Sequence, residues 1–259
     1  MKSWVTRGFA ALILVLISLP AFAERWESFL PVQQLLDGRT PKTEGLNLDL
    51  PLVSEDGSAV PLAISFSGQL QAGDRLQSLR VFATANPNPE VIDFRFADER
   101  LLPDLATRIR LNETQTVIAV AETSQGQVWV AAKEVRVTVS GCLMASEQQG
   151  EPAMQTPRVA LPRRMSAGRP LEVRTLVNHP METGLRETGD GERAPQALVE
   201  SLSLYLDGEQ AWQARFYTGT AANPYVRLKL QLPKPAAAAW VWRDQQGQEV
   251  SQERKLEVR

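Results

Sequence analysis

The sequence predicts an all-β protein made of two immunoglobulin-like β-sandwich domains joined by a flexible linker. Three observations carry this. Short apolar and β-branched runs recur at near-regular spacing, and turn formers separate them. The same grammar starts again after an aperiodic polar stretch, Ala145 to Thr156, which contains Gly150 and Pro152. The chain of 259 residues favours two domains of ordinary size over one large core, with a single big sandwich as the alternative.

Taken in order, the chain opens with Lys2 and Arg7, an apolar run from Phe9 to Leu19 and then Ala21-Phe-Ala23. That succession fits a signal peptide over residues 1–23, cleaved after Ala23, and so an exported, periplasmic protein. The apolar run is too short for a good membrane span, and no later stretch approaches the ~20 apolar residues one needs, so no membrane partner is expected. Trp26, Phe29, Leu30, Leu35 and Leu36 suggest the apolar side of a short helix, interrupted at Pro31 and ended near Gly38. From Leu46 the pattern turns to strands: 59–66, 77–83, 91–96, 107–111, 117–122, 127–132 and 134–139. Glu55-Asp-Gly57, Ala72-Gly-Asp74, Asn86-Pro-Asn-Pro89 and Ser124-Gln-Gly126 supply turns between them. In the second half the strands are expected at 171–177, 201–206, 209–216, 226–232, 238–243 and 255–258. Asp207-Gly208 makes a hairpin, and a long loop covers Asn178 to Arg193.

Charge excludes little but points away from nucleic acid: 28 basic against 30 acidic side chains give no electrostatic bias toward a polyanion. Cysteine usage is more informative. The single cysteine, Cys142, has no partner within its own chain, which leaves an intermolecular or reactive thiol and makes a disulfide dimer through Cys142 possible. It follows Val135-Arg-Val-Thr-Val-Ser-Gly141, in which Val135, Val137 and Val139 share one strand face and Gly141 ends the strand. Glycine frees the backbone there, so the thiol is expected on a pliant arm of Ser140, Gly141, Leu143 and Met144, at the point where one domain gives way to the linker. A buried, inert cysteine is the competing reading of the same residues.

Other chemistry is sparse. His179 is the lone histidine, which argues against a zinc cluster and favours a structural hydrogen-bonding role. A Cys142–His179 nucleophilic pair lacks a third residue to orient the imidazole. The sequence holds no C-x-x-C pair, no C-x-x-C-H haem motif, no glycine-rich phosphate loop and no G-x-S-x-G elbow, so no cofactor, metal or catalytic residue is expected. One reactive atom without catalytic machinery describes a carrier better than an enzyme.

Thr107-Arg-Ile-Arg-Leu111, Glu113-Thr-Gln115, Lys133-Glu-Val-Arg-Val137 and Ser140-Gly-Cys142 resemble SoxY, the thiol subunit of the bacterial sulfur-oxidation carrier. Val177-Asn-His-Pro-Met-Glu-Thr-Gly184 and Asn223-Pro-Tyr225 resemble its partner SoxZ. The resemblance covers nearly all of the mature chain, with a SoxY-like domain over residues 24–144, a linker over 145–157 and a SoxZ-like domain over 158–259. It implies two sandwiches that pair intimately and a Cys142 that covalently holds sulfur (thiosulfate-type) intermediates for separate periplasmic sulfur-oxidation enzymes. The family arm reads Gly-Gly-Cys-Gly-Gly at the chain end, whereas here Ser140-Gly-Cys-Leu-Met144 continues into a second domain. Fused carriers of this kind resemble a subgroup associated with quinoprotein (PQQ-dependent) dehydrogenases and their cytochromes. That association implies a second reading, an adaptor that docks such a dehydrogenase or cytochrome without covalent cargo.

Overall fold

The computed structural model describes residues 26–140, 153–189 and 191–259. The expected signal peptide, Gly141, Cys142, Leu143, Met144 and most of the expected linker lie outside the described residues. Among the described residues one helix, α1 (Leu30–Leu36), precedes fifteen strands. The first half supplies β1 (Leu46–Asp49), β2 (Val53–Ser54), β3 (Val60–Phe66), β4 (Leu76–Ala83), β5 (Glu90–Phe96), β6 (Leu101–Ile109), β7 (Gln115–Thr123) and β8 (Val128–Val137). The second half supplies β9 (Arg158–Ala160), β10 (Pro170–Leu176), β11 (Val199–Leu206), β12 (Glu209–Phe216), β13 (Tyr225–Gln231), β14 (Ala236–Asp244) and β15 (Glu249–Leu256).

The protein is all-β, and its strands form two sheets that both run through the two halves. One has the order β1-β3-β6-β13-β10-β9 and the other β15-β14-β11-β12-β5-β4-β7-β8-β2. The halves therefore join edge to edge twice, through antiparallel pairs β6 with β13 and β5 with β12. Pairing edges in this way satisfies backbone groups that two separate sandwiches would each expose.

Period-2 patterning places the core between the sheets. Val60, Leu62 and Ile64 of β3 and Val226, Leu228 and Leu230 of β13 are buried on the inner face, and residues of both halves join in one hydrophobic cluster. Phe94 of the first half stacks on Trp212 of the second, ring centroids 5.6 Å apart, and so carries the core across the junction. Strand β7 is buried on both faces. Its inner residues Val117, Ala119 and Ala121 enter the main core, while Ile118 and Val120 pack outward against Phe29, Val32 and Leu36, which α1 lays over the sheet. Sealing that face explains an uninterrupted apolar run where alternation would otherwise be expected.

The structure corrects several expectations. Pro31 does not interrupt the helix; it sits in the first turn, where its fixed φ suits helix initiation and its missing N–H is no loss. Asp37 and Gly38, both with positive φ, close the helix at the other end. The runs 127–132 and 134–139 are one ten-residue strand, β8, because the ladder with β7 continues through Lys133, which pairs with Val117. Strand β6 begins at Leu101, six residues before the expected start, since pairing with both β3 and β13 accommodates Pro103 in its first part. Strand β15 likewise starts earlier, at Glu249, as an edge strand whose charged residues hide its periodicity. The Asp207-Gly208 hairpin forms as expected, with φ of 56° and 90° at its two turn residues.

Ionic contacts reinforce the junction at its rim. Arg100 bridges Asp98 at 2.7 Å and, across the halves, Asp207 at 2.9 Å, and these hydrogen bonds hold both carboxyls below the ordinary carboxylate range. Asp104 accepts from Arg227 at 2.9 Å and Lys229 at 2.6 Å. At the chain crossing, Met154 is buried in the core and the Gln155 N–H donates to the Asn178 carbonyl at 3.3 Å. Such a junction should outlast the loss of covalent continuity. Protease cleavage between residues 145 and 152 is expected to leave two fragments that co-elute on a sizing column under native conditions; fragments that separate freely there would contradict a shared pair of sheets.

Candidate functional site

The described part of the expected arm ends at Ser140, two residues before Cys142 in sequence, so the site is built from what holds Ser140 in place. Strand β8 ends at Val137, and not at Gly141 as its alternation suggests. Val135 is buried and Val137 half-buried, but Val139 is exposed, so the shared face of these valines rises out of the core toward the arm. Around the end of β8 the chain is pinned at successive residues. The Arg136 N–H donates to Leu52 O at 3.0 Å and the Thr138 N–H to Ser54 O at 3.1 Å, making β2 a short parallel neighbour of β8. Thr138 Oγ1 donates to Glu55 O at 3.0 Å, and Val139 O accepts from the Gly57 N–H at 2.9 Å. Ser140 Oγ then donates to Asn112 Oδ1 at 2.8 Å.

Asn112 ties this pedestal to the junction. Its N–H donates to Asn86 Oδ1 at 2.9 Å, Asn86 Oδ1 also accepts from Gln115 Nε2 at 3.0 Å, and Asn86 Nδ2 donates to the Arg110 carbonyl at 2.9 Å. Asn86 is buried and its side-chain amide is used on both sides, which makes it a fixed element. Arg110 is also buried. It donates its own N–H to Gly219 O at 2.7 Å, and its guanidinium donates to Met181 O at 2.6 Å and Pro180 O at 3.1 Å. Charge-assisted bonds to two main-chain carbonyls compensate a guanidinium that burial would otherwise penalise.

The Asn178–Gly184 motif is thus an interlock. Met181 has a φ of 51°, and its N–H donates to His179 Nδ1 at 3.0 Å. The His179 N–H donates to Asn223 Oδ1 at 3.0 Å, and the Asn223 N–H returns to His179 O at 2.8 Å. These bonds place His179, buried and with Nδ1 as an acceptor, in a structural role that shapes the two carbonyls offered to Arg110. Tyr225, the end of the second motif, accepts from Thr107 Oγ1 at 2.8 Å across the halves. Among the described residues no group of three His, Cys, Asp or Glu side chains is disposed to hold a metal. No helix among them is long and apolar enough to cross a membrane.

Of the expected arm residues only Ser140 is described, and it stands at the head of the hydrogen-bond chain; Gly141, Cys142, Leu143 and Met144 lie outside. Asn86 and Asn112 escaped sequence reasoning because each reads as an ordinary loop residue. Only the buried amide geometry reveals their use.

Comparison with known proteins fits this arrangement. The family model for sulfur oxidation protein SoxY matches residues 32–142, and that for sulphur oxidation protein SoxZ matches residues 159–255. The chain belongs to the SoxYZ-like sulfur-oxidation family, with both domains fused in one polypeptide. The SoxY half thus supplies the arm and the SoxZ half the carbonyl clasp. Among solved structures, the sulfur carrier protein SoxY from Chlorobium limicola f thiosulfatophilum is 25% identical over 44% of this chain and 99% of its own, with a TM-score of 0.35. A superoxide reductase (neelaredoxin) from Ignicoccus hospitalis is 17% identical over 37% of this chain and 81% of its own, with a TM-score of 0.33. No curated protein sequence matches the chain.

Removing the Arg110 guanidinium would strand the Pro180 and Met181 carbonyls at the junction. Arg110→Met is expected to cost about 1–3 kcal/mol of stability in a denaturant titration while leaving the alkylation rate of Cys142 unchanged. His179→Ala should act in the same sense. A drop in alkylation rate at unchanged melting temperature would contradict the structural assignment of either residue.

Proposed function

We propose that this protein is a non-catalytic carrier, exported to the periplasm, that holds a sulfur-bound intermediate or redox thiol on Cys142 and presents it to partner enzymes. One observation carries the reading: the SoxY match ends at residue 142, on the single cysteine of the chain, two residues beyond the hydrogen-bonded Ser140. A carrier needs a fixed body, a nucleophile able to form a reversible S–S bond and a connection short enough to define where cargo is offered. The pedestal supplies the first and the covalent spacing the last.

The chemistry divides accordingly. Joining the Cys142 thiolate to the outer sulfur of thiosulfate creates one S–S bond and releases two electrons, which an oxidising partner such as a cytochrome must accept. Hydrolysis or reduction of the bound group then belongs to other enzymes. The carrier contributes the sulfur atom and its position. Periplasmic sulfur-oxidation enzymes are the partners that the family implies, and a PQQ-dependent dehydrogenase with its cytochrome is the partner proposed for the fused form.

The arm itself favours a second reading. Leu143 and Met144 stand where the family has glycines, and they thicken the segment that would enter a narrow channel. An adaptor that binds its dehydrogenase without cargo would tolerate that change. Replacing Cys142 separates the two readings. Cells whose sole copy is Cys142→Ser are expected to lose the function that the wild-type copy restores, while the purified variant keeps the wild-type melting temperature. Full function without the sulfur would leave the adaptor.

A further inference from the structure

Four strands form the free edges of the two sheets, β1 and β9 in one and β2 and β15 in the other. Three of them are short, with four residues in β1, three in β9 and two in β2, and a short edge offers little to a further strand. Strand β15 is different. It runs for eight residues, Glu249–Leu256, without glycine or proline, and pairs with β14 at every position without a bulge. Among the described residues no strand pairs with its other side.

Charged side chains on an edge usually keep a second strand away. On β15 their order admits one particular strand. Glu249, Ser251, Glu253 and Lys255 pair with Arg243, Val241, Ala239 and Ala237 and share the outer face, while Val250, Gln252 and Arg254 pair with Trp242, Trp240 and Ala238, which are buried on the inner face. A second copy joined edge to edge about a two-fold axis normal to the sheet runs antiparallel and sets outer residues against outer, inner against inner. Few registers are then open. An axis at Ser251 opposes Glu249 to Glu253, while an axis at Glu253 or at Arg254 opposes that residue to itself. Axes nearer the strand ends leave three residues or fewer in register. An axis at Gln252 opposes no like charges: it sets Glu249 of each copy against Lys255 of the other, and Ser251 against Glu253. Within one copy Arg243 donates to Glu249, and Lys255 lies 2.8 Å from Glu257, so the new contact links two existing pairs in alternating sign. We infer that β15 is a self-pairing edge, at which two copies of this chain join their nine-stranded sheets into one continuous sheet with Gln252 on the axis. The joint does not involve Cys142, and it leaves the opposite edge of the sheet, where β2 pairs with β8, open in both copies.

Sedimentation of the full chain carrying Cys142→Ser, which removes any disulfide, tests this. A reversible dimer is expected. Glu249→Lys and Lys255→Glu each set like charges against one another on both sides of the axis, and each should weaken the dimer about tenfold. An equimolar mixture of the two variants should recover it, because both contacts are then again between opposite charges, whatever either substitution does within its own copy. Gln252→Cys in the same background should oxidise to a covalent dimer faster than Ser251→Cys or Glu253→Cys. Residues directly opposite stand about 4.5–5.5 Å apart at Cα, within reach of a disulfide, and diagonal neighbours about 7–8 Å apart. A chain that stays monomeric at every concentration, or a dimer that forms only while Cys142 is present, would overturn the self-pairing edge. So would a dimer indifferent to both charge variants, a mixture no stronger than its components, or fastest linking at Ser251 or Glu253. None of these results bears on the carrier reading.

Discussion

The double edge-to-edge junction, β5 with β12 and β6 with β13, is the constraint on which the rest of the structure depends. Neither half closes its own sheets. The first half ends at β5 and β6 and the second begins at β12 and β13, so each half exposes ladder groups and inner apolar faces that only the other covers. The stacked Phe94–Trp212 pair and the shared core are consequences of that registration. A close backbone approach at Gly219 shows how tightly it is drawn: a Cβ there would stand 2.9 Å from Val91 Cγ2 and 3.2 Å from Val91 Cα. Fusion in one chain keeps the effective concentration of each half high for the other, which suits a pair with so much to lose on separation.

The junction also explains how a small arm is given a definite origin. From the carbonyls of Pro180 and Met181 in the SoxZ half, bonds run through Arg110, Asn86 and Asn112 to Ser140. The SoxZ motif thus joins the hydrogen-bond network that ends at Ser140. His179, the residue whose chemistry attracts attention first, contributes through Nδ1 and its main chain to that scaffold.

Much of the fold was legible in the sequence because its signals are local. Alternation in 59–66, 209–216 and 226–232 located strands that the structure places within a residue or two, and Asp207-Gly208 specified its turn. What failed to show was set by neighbours. Lys133 looked like a break because a lysine interrupts hydrophobic alternation, yet the ladder to Val117 carries β8 through it. Strand β9, three residues long, carries too little pattern to stand out and exists because β10 offers an edge. The sheet continuity across halves rests on pairing between segments more than a hundred residues apart, which periodicity does not report. At the site, the motifs around His179 and Asn223 were visible as strings, but their engagement with each other and with Arg110 is a tertiary fact. The sequence singled out Cys142 by its solitude and its place after Gly141.

The account stands on a sulfur atom that carries cargo, and the most direct measurement is the intact mass of the protein purified from its native cells without reductant. The account predicts a population heavier than the mature chain by a sulfur-containing adduct that maps to Cys142 and is released by a thiol reductant. A mass equal to the unmodified chain in every preparation, with Cys142 titrating as a free thiol while cells are actively oxidising sulfur, would contradict it.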